Sequence, residues 1–183
     1  DEIKQAKYIN SPQTDVYDKS KILYGLYHSK DEIRKKGYAI LTEGYADVLT
    51  LFQSGYQNTV ASSGTSITKE QLVNLYRYCK TIYFVYDADS AGIKAAERGL
   101  ELALEHGFNV QVVQLPGGED PDSIIRKLGA RNFQVYLDDA SQFLDFLVAK
   151  MKKEGTLDNP ARKAEAIRAL LNIIIKIPDR LQH

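Results

Sequence analysis

The sequence predicts an α/β fold: a parallel four-stranded sheet flanked by helices, followed by a helical C-terminal subdomain. Three observations predict it. Between Gly37 and Leu115, short runs rich in β-branched and aromatic residues alternate with amphipathic stretches four times over, which is the pattern of a parallel α/β sheet. After EDPDS at 119–123 the pattern turns wholly helical. The 183 residues suffice for one good-sized domain, or one domain plus an appendage.

Each element follows in order. Residues 1–30 read as mostly irregular, because KYINSPQTDVYDKS is rich in turn formers. KILYGLYHSKDEIRK predicts a short helix broken by Gly25. GYAILTE (37–43) is the first strand, and GYADVLTLFQSG a helix with Val48, Leu51 and Phe52 on one face. NTVAS (58–62) is the second strand. Thr68 and Gln71 stand at capping-box spacing ahead of Leu72 and Leu75. TIYFVYD (81–87) is the third strand, followed by a helix over Ser90–Gly107 closed by its terminal glycine. NVQVVQL (109–115) is the fourth, ended by Pro116-Gly117-Gly118. SIIRKLGA, NFQVYLDD and SQFLDFLVAKMKK read as helices, and past GTLDNP comes the long amphipathic ARKAEAIRALLNIIIKI.

Composition narrows the class. Hydrophobic residues make up 44% and charged residues 26%, as in an ordinary soluble globular protein. No apolar run approaches a membrane span and nothing resembles a signal peptide, so the expected compartment is the cytoplasm. The chain opens on DEIKQAKY without Met and reads as a piece of something longer. The single Cys79 excludes a disulfide framework and a cysteine-based zinc site in this piece, and reads as a small buried hydrophobe. His28, His106 and His183 lack ligand spacing and read as surface residues; Tyr76, Tyr78, Tyr83 and Tyr86 read as packing rather than base-stacking groups. The net charge of zero hides a pattern. Lys plus Arg stand 8 against 6 Asp plus Glu in residues 1–40, 8 against 13 in 41–140, and 8 against 5 in 141–183. An acidic centre that meets phosphates needs divalent cations between the two.

The acids sit where chemistry is expected. In open parallel sheets, ligands bind at the carboxyl ends of the strands. The first strand ends in Glu43-Gly44, the third in Asp87 and Asp89, and the fourth leads to Glu119-Asp120-Pro121-Asp122. The second ends in Ser62-Ser63-Gly64-Thr65, without an acid. Helix capping, favourable by about 1 kcal/mol for Asp, explains Asp89 or Ser90 and either Asp120 or Asp122. It explains neither Glu43 nor why Asp87 accompanies Asp89. Converging carboxylates repel by several kcal/mol unless cations or protons intervene, and magnesium, a hard cation, suits oxygen ligands beside substrate phosphates.

EGYADV at 43–48 followed by YDADSAG at 86–92 resembles the Toprim domain, shared by primases, topoisomerases, recombination proteins and some nucleases. KYINSP, LYGLY, EGYADV, ASSGTS, YDADSAG and GEDPDS, in that order, resemble the bacterial-type DNA primases over residues 5 to 150, and the helical tail more loosely. Two positions depart from that pattern: Ala46 where Met is usual, and Ala88 where Gly is frequent.

The resemblance implies three parts: 1–36 joins the preceding part of the polymerase core, 37–125 is the Toprim domain, and 126–183 is a truncated helical subdomain. It implies that Glu43, Asp87 and Asp89 are catalytic, metal-binding acids, with Asp120 and Asp122 an auxiliary pair near the same ions. Lys7 and Lys19 match lysines near the nucleotide or initiation site, and Asn10 and Ser11 line that edge. Gly64 and Thr65, with Ser62 and Ser63, either bind nucleotide phosphate through backbone N–H groups or form a tight packing turn. The implied reaction is ribonucleotidyl transfer with two Mg2+, replaceable by Mn2+: a primer 3′-hydroxyl attacks the α-phosphate of a ribonucleoside triphosphate on a single-stranded DNA template, and pyrophosphate leaves. Implied partners are the template, the RNA primer and a replicative helicase reached through a domain absent here; zinc belongs to another absent module, and no membrane is involved. The fragment alone is expected to make primers weakly or not at all. The alternatives are another Toprim enzyme (a nuclease or topoisomerase), a regulatory module binding a guanine-nucleotide alarmone, and a capped α/β domain that only binds a partner protein.

Overall fold

A computed structural model of the chain describes residue 14 and residues 17–62, 66–86 and 90–178. Helix α1 (Leu26–Lys36) precedes β1 (Tyr38–Thr42), α2 (Tyr45–Gln53), β2 (Thr59–Ala61), α3 (Lys69–Tyr76) and β3 (Thr81–Tyr86). Then come α4 (Ser90–Glu105), β4 (Asn109–Gln114), α5 (Pro121–Leu128), α6 (Ala130–Asp138), β5 (Ser141–Gln142), α7 (Phe143–Lys153) and α8 (Pro160–Ile175). The four expected strands are present and parallel, in the order β2-β1-β3-β4.

A fifth strand completes the sheet. Ser141 and Gln142, which the sequence reads as helical, pair antiparallel with Val112 and Gln111. Two polar residues carry no alternation that could announce a strand; only the backbone groups left open on β4 select them.

Register explains the layers. Val60, Leu41, Phe84 and Val112 stand opposite one another in one row across four strands. Because successive side chains point to opposite faces, this row and its neighbours Ala39, Ile82 and Val110 fill one core, with Ile33, Leu72, Leu75, Leu100 and Phe143 from the helices above. Ile40, Val85 and Val113 point the other way, onto Leu51, Ile124, Phe133 and Leu137. Thus α2, α5 and α6 cover one face and α1, α3, α4 and α7 the other.

Gly25, expected to break a helix, starts one. Its φ of 82° is left-handed, and a Cβ there would lie 3.1 Å from Val48 Cγ1 and 3.2 Å from the Thr59 carbonyl oxygen. The preceding Tyr24 exchanges both backbone hydrogen bonds with Ala61, at 2.9 and 3.1 Å, and so covers the β2 edge of the sheet.

Cys79 is buried as expected, and burial pushes its thiol up to about 11 from 9.0. Folding therefore favours the protonated thiol, and stability should fall as pH rises from 9 toward about 11. A thiol-reactive disulfide at pH 8 should label Cys79 only after denaturation; rapid labelling of the native chain would contradict this burial.

Candidate metal and nucleotide site

Glu43 follows β1 directly and is exposed. Gly44 then takes extended backbone (φ −107°, ψ 155°) and begins α2 without a side-chain cap. A Cβ on Gly44 would stand 3.0 Å from Asp47 Oδ2, so glycine makes room for that carboxylate. Parallel pairing sets Leu41 opposite Phe84, so the ends of β1 and β3 lie at neighbouring levels of the sheet. Asp87, Ala88 and Asp89 lie outside the described residues, as do Lys7, Asn10, Ser11, Gly64 and Thr65.

The fourth strand's acids are described, and each has a partner. Asp120 caps α5: its Oδ1 accepts the Ser123 N–H at 2.7 Å, and the Ser123 hydroxyl oxygen accepts the Asp120 N–H at 2.9 Å. Helix capping, one of the two readings of this acid, is thus realised. Asp122 stands in the first turn, where its Oδ1 accepts from the Thr50 hydroxyl of α2 and from Arg126 Nε at 2.9 Å. The Asp122 N–H in turn donates to Asp47 Oδ1 at 3.3 Å. Glu119 pairs with Lys127 at 2.6 Å, and Lys127 with Ser123 holds its carboxyl below the usual range. Sequence reasoning gave no role to Asp47, Thr50 or Arg126. The Asp122–Arg126 spacing of four residues was a readable signal; the link from Thr50 spans 72 positions and had none.

Lys19 is half-buried in a turn gripped by the start of α3. The Gln71 amide nitrogen donates to the carbonyls of Lys19 at 2.8 Å and Ile22 at 2.9 Å, and the Thr68 hydroxyl donates to that of Ser20. The predicted capping box is formed: Thr68 Oγ1 accepts the Gln71 N–H at 3.1 Å, and Gln71 Oε1 accepts the Thr68 N–H at 3.0 Å. Beside the turn, Asp18 accepts the Ser20 hydroxyl at 2.6 Å, which with Lys21 lowers its pKa. Tyr24 packs edge-on against Tyr45 of α2, with ring centroids 4.7 Å apart. Ser62, after β2, donates its N–H to the Thr42 carbonyl at 3.3 Å.

Among the described residues, no group of three or more His, Cys, Asp or Glu is gathered closely enough to hold a metal, and no helix is long and apolar enough to cross a membrane. His106 bonds locally through Nδ1 to the Leu102 carbonyl at 2.8 Å. Tyr76 packs on Phe108, and Tyr83 on Tyr38, with centroids 5.0 and 4.9 Å apart.

Residues 40–125, which carry the parallel strand order β2-β1-β3-β4, match the family described as Toprim-like, and that class carries dependence on metal in general. Beyond the class, the chain is similar over nearly its whole length to the catalytic core of the bacterial-type DNA primases. Residues 1–30 match the N-terminal domain of the DNA primase catalytic core, and residues 144–182 the DnaB-helicase binding domain of primase. The DNA primase of Buchnera aphidicola subsp. Baizongia pistaciae is 39% identical over 178 residues, 96% of this chain. The chain spans 31% of that relative's length. A DNA primase domain from Pseudomonas aeruginosa superposes with a TM-score of 0.86 at 35% identity, covering 95% of this chain and 56% of that one. The DnaG primase catalytic domain bound to ssDNA superposes at 0.84 and 35% identity, covering 95% and 57%. One expectation is corrected here: a helicase-binding match falls on residues 144–182, within this chain and not only in an absent domain.

Proposed function

We propose that this chain is the Toprim part of the catalytic core of a DNA primase, which synthesises short RNA primers on single-stranded DNA by ribonucleotidyl transfer. The observation that carries the reading is the parallel pairing of β1 with β3: the strand that leads into Glu43 runs beside the strand that leads into Asp87 and Asp89. In this reading Glu43, Asp87 and Asp89 hold Mg2+ or Mn2+, with Asp122 close by and Asp120 dividing its oxygens between the helix cap and the rim. The donor chemistry fits: carboxylate oxygens suit a hard cation, and the single thiol is buried in the core. Bound there, divalent cations supply charge neutralisation at phosphate oxygens and acidify a bound hydroxyl.

The chain's own residues position the reactants. Lys7 and Lys19 meet the triphosphate or the initiating nucleotide, with Asn10 and Ser11 along the same edge, and the Gln71 grip fixes the backbone that carries Lys19. Gly64 and Thr65 offer backbone N–H groups to phosphate. Residues 1–36 join the preceding part of the core, 37–125 form the Toprim domain, and 126–183 form the helical part. Ribonucleoside triphosphates, primer and DNA template are the ligands; a replicative helicase docks on the region from 144 onward, by its match to a helicase-binding domain. Zinc belongs to a module outside this chain, the compartment is the cytoplasm, and the isolated piece makes primers weakly or not at all.

A manganese titration of the chain, read by calorimetry or paramagnetic relaxation, tests this. The wild type should bind Mn2+ and Asp87→Ala/Asp89→Ala should lose that binding. Equal binding by both would reduce the acids to helix caps and sink the reading.

A further inference from the structure

We propose that Thr50 is a positioning residue for the metal site, holding the Asp122 carboxylate from the neighbouring helix while Arg126 tempers its charge. The inference rests on the metal reading above. Three bonds carry it. The Thr50 hydroxyl, on the second turn of α2, donates to Asp122 Oδ1. Arg126 Nε donates to the same oxygen at 2.9 Å. The Asp122 N–H reaches back to Asp47 Oδ1 at 3.3 Å.

These contacts join two helices that begin at different acidic turns. Helix α2 starts at Tyr45, directly after Glu43-Gly44, and α5 starts at Pro121, just after Asp120. The Thr50–Asp122 bond therefore fixes the spacing between the first and fourth strand ends as well as the orientation of one carboxylate. The two donors differ in kind. Thr50 is half-buried and neutral, so it orients Asp122 without cancelling charge. The Arg126 side chain is 74% exposed and carries a full positive charge, so it competes with any cation for the same oxygen. Partners that orient metal ligands typically affect metal affinity by about 10–100-fold.

The test is Mn2+ titration of the 183-residue chain and its variants, with thermal melting of the metal-free proteins alongside. Thr50→Val keeps the shape and removes the hydroxyl; it should weaken Mn2+ binding by about 10-fold, and Thr50→Ser should restore it. Arg126→Gln, on an exposed position, should tighten binding by about 2–3-fold by removing a competing charge. Opposite signs at two residues touching one oxygen are not expected of a purely structural bond. If Thr50→Val lowers the melting temperature but leaves Mn2+ affinity unchanged, the proposal is overturned. It is equally overturned if Thr50→Val does not fold and Arg126→Gln leaves affinity unchanged. Asp87→Ala/Asp89→Ala serves as the separate control: wild-type affinity there overturns the underlying metal reading itself, whatever Thr50 does.

Discussion

Phe84→Ala should cost about 3–5 kcal/mol of folding stability, the range for emptying a fully buried phenylalanine site. Phe84 is 0% exposed. It stands in the middle of β3, directly between Leu41 of β1 and Val112 of β4. Both neighbours are held by ladder hydrogen bonds, so neither strand can slide in to close the hole, and the cavity penalty adds to the lost transfer energy. Against a total of about 5–15 kcal/mol for an ordinary domain, one substitution takes a large share. Urea unfolding followed by circular dichroism would show a lower midpoint with an unchanged slope. A cost below about 1 kcal/mol would mean that the row across the sheet is not packed as described.

Gln71→Ala should cost about 2–4 kcal/mol, as several buried polar groups lose their partners together. Gln71 is 0% exposed. Its amide nitrogen satisfies the carbonyls of Lys19 and Ile22, and its amide oxygen satisfies the N–H of Thr68. Alanine strands all three groups beside a space that water reaches only in part. The damage should also be local: hydrogen exchange should accelerate in residues 18–22 before it does in the sheet. Unchanged exchange in that turn would show that the Thr68 hydroxyl and Asn74, which donate to the Ser20 and Lys21 carbonyls, hold it unaided.

Much of the fold was legible because the signals were local. The four parallel strands announced themselves through β-branched and aromatic runs, and Thr68 with Gln71 through a spacing of three. What escaped was carried by distance. The same Gln71 whose capping role was readable also grips a turn about fifty residues earlier, and its second function leaves no mark on neighbouring residues. Ser141-Gln142 became a strand because β4 had open backbone groups. Gly25 was read as a helix breaker because its composition signal is the same whether it ends a helix or begins one; its closeness to the Thr59 carbonyl, 34 positions away, decided the matter. At the candidate site, the sequence located the acids by strand end but could not say that Asp120 would spend an oxygen on Ser123, or that Asp122 would be met by Thr50.

The short β5 also bears on motion. Its two residues pair with β4, and the next residue, Phe143, is 1% exposed within the core of the sheet itself. A pull on α7 therefore arrives at the sheet as shear, with no slack tether to take it up. Whatever loads that helix is fastened to the middle of β4 through a strut rather than a leash.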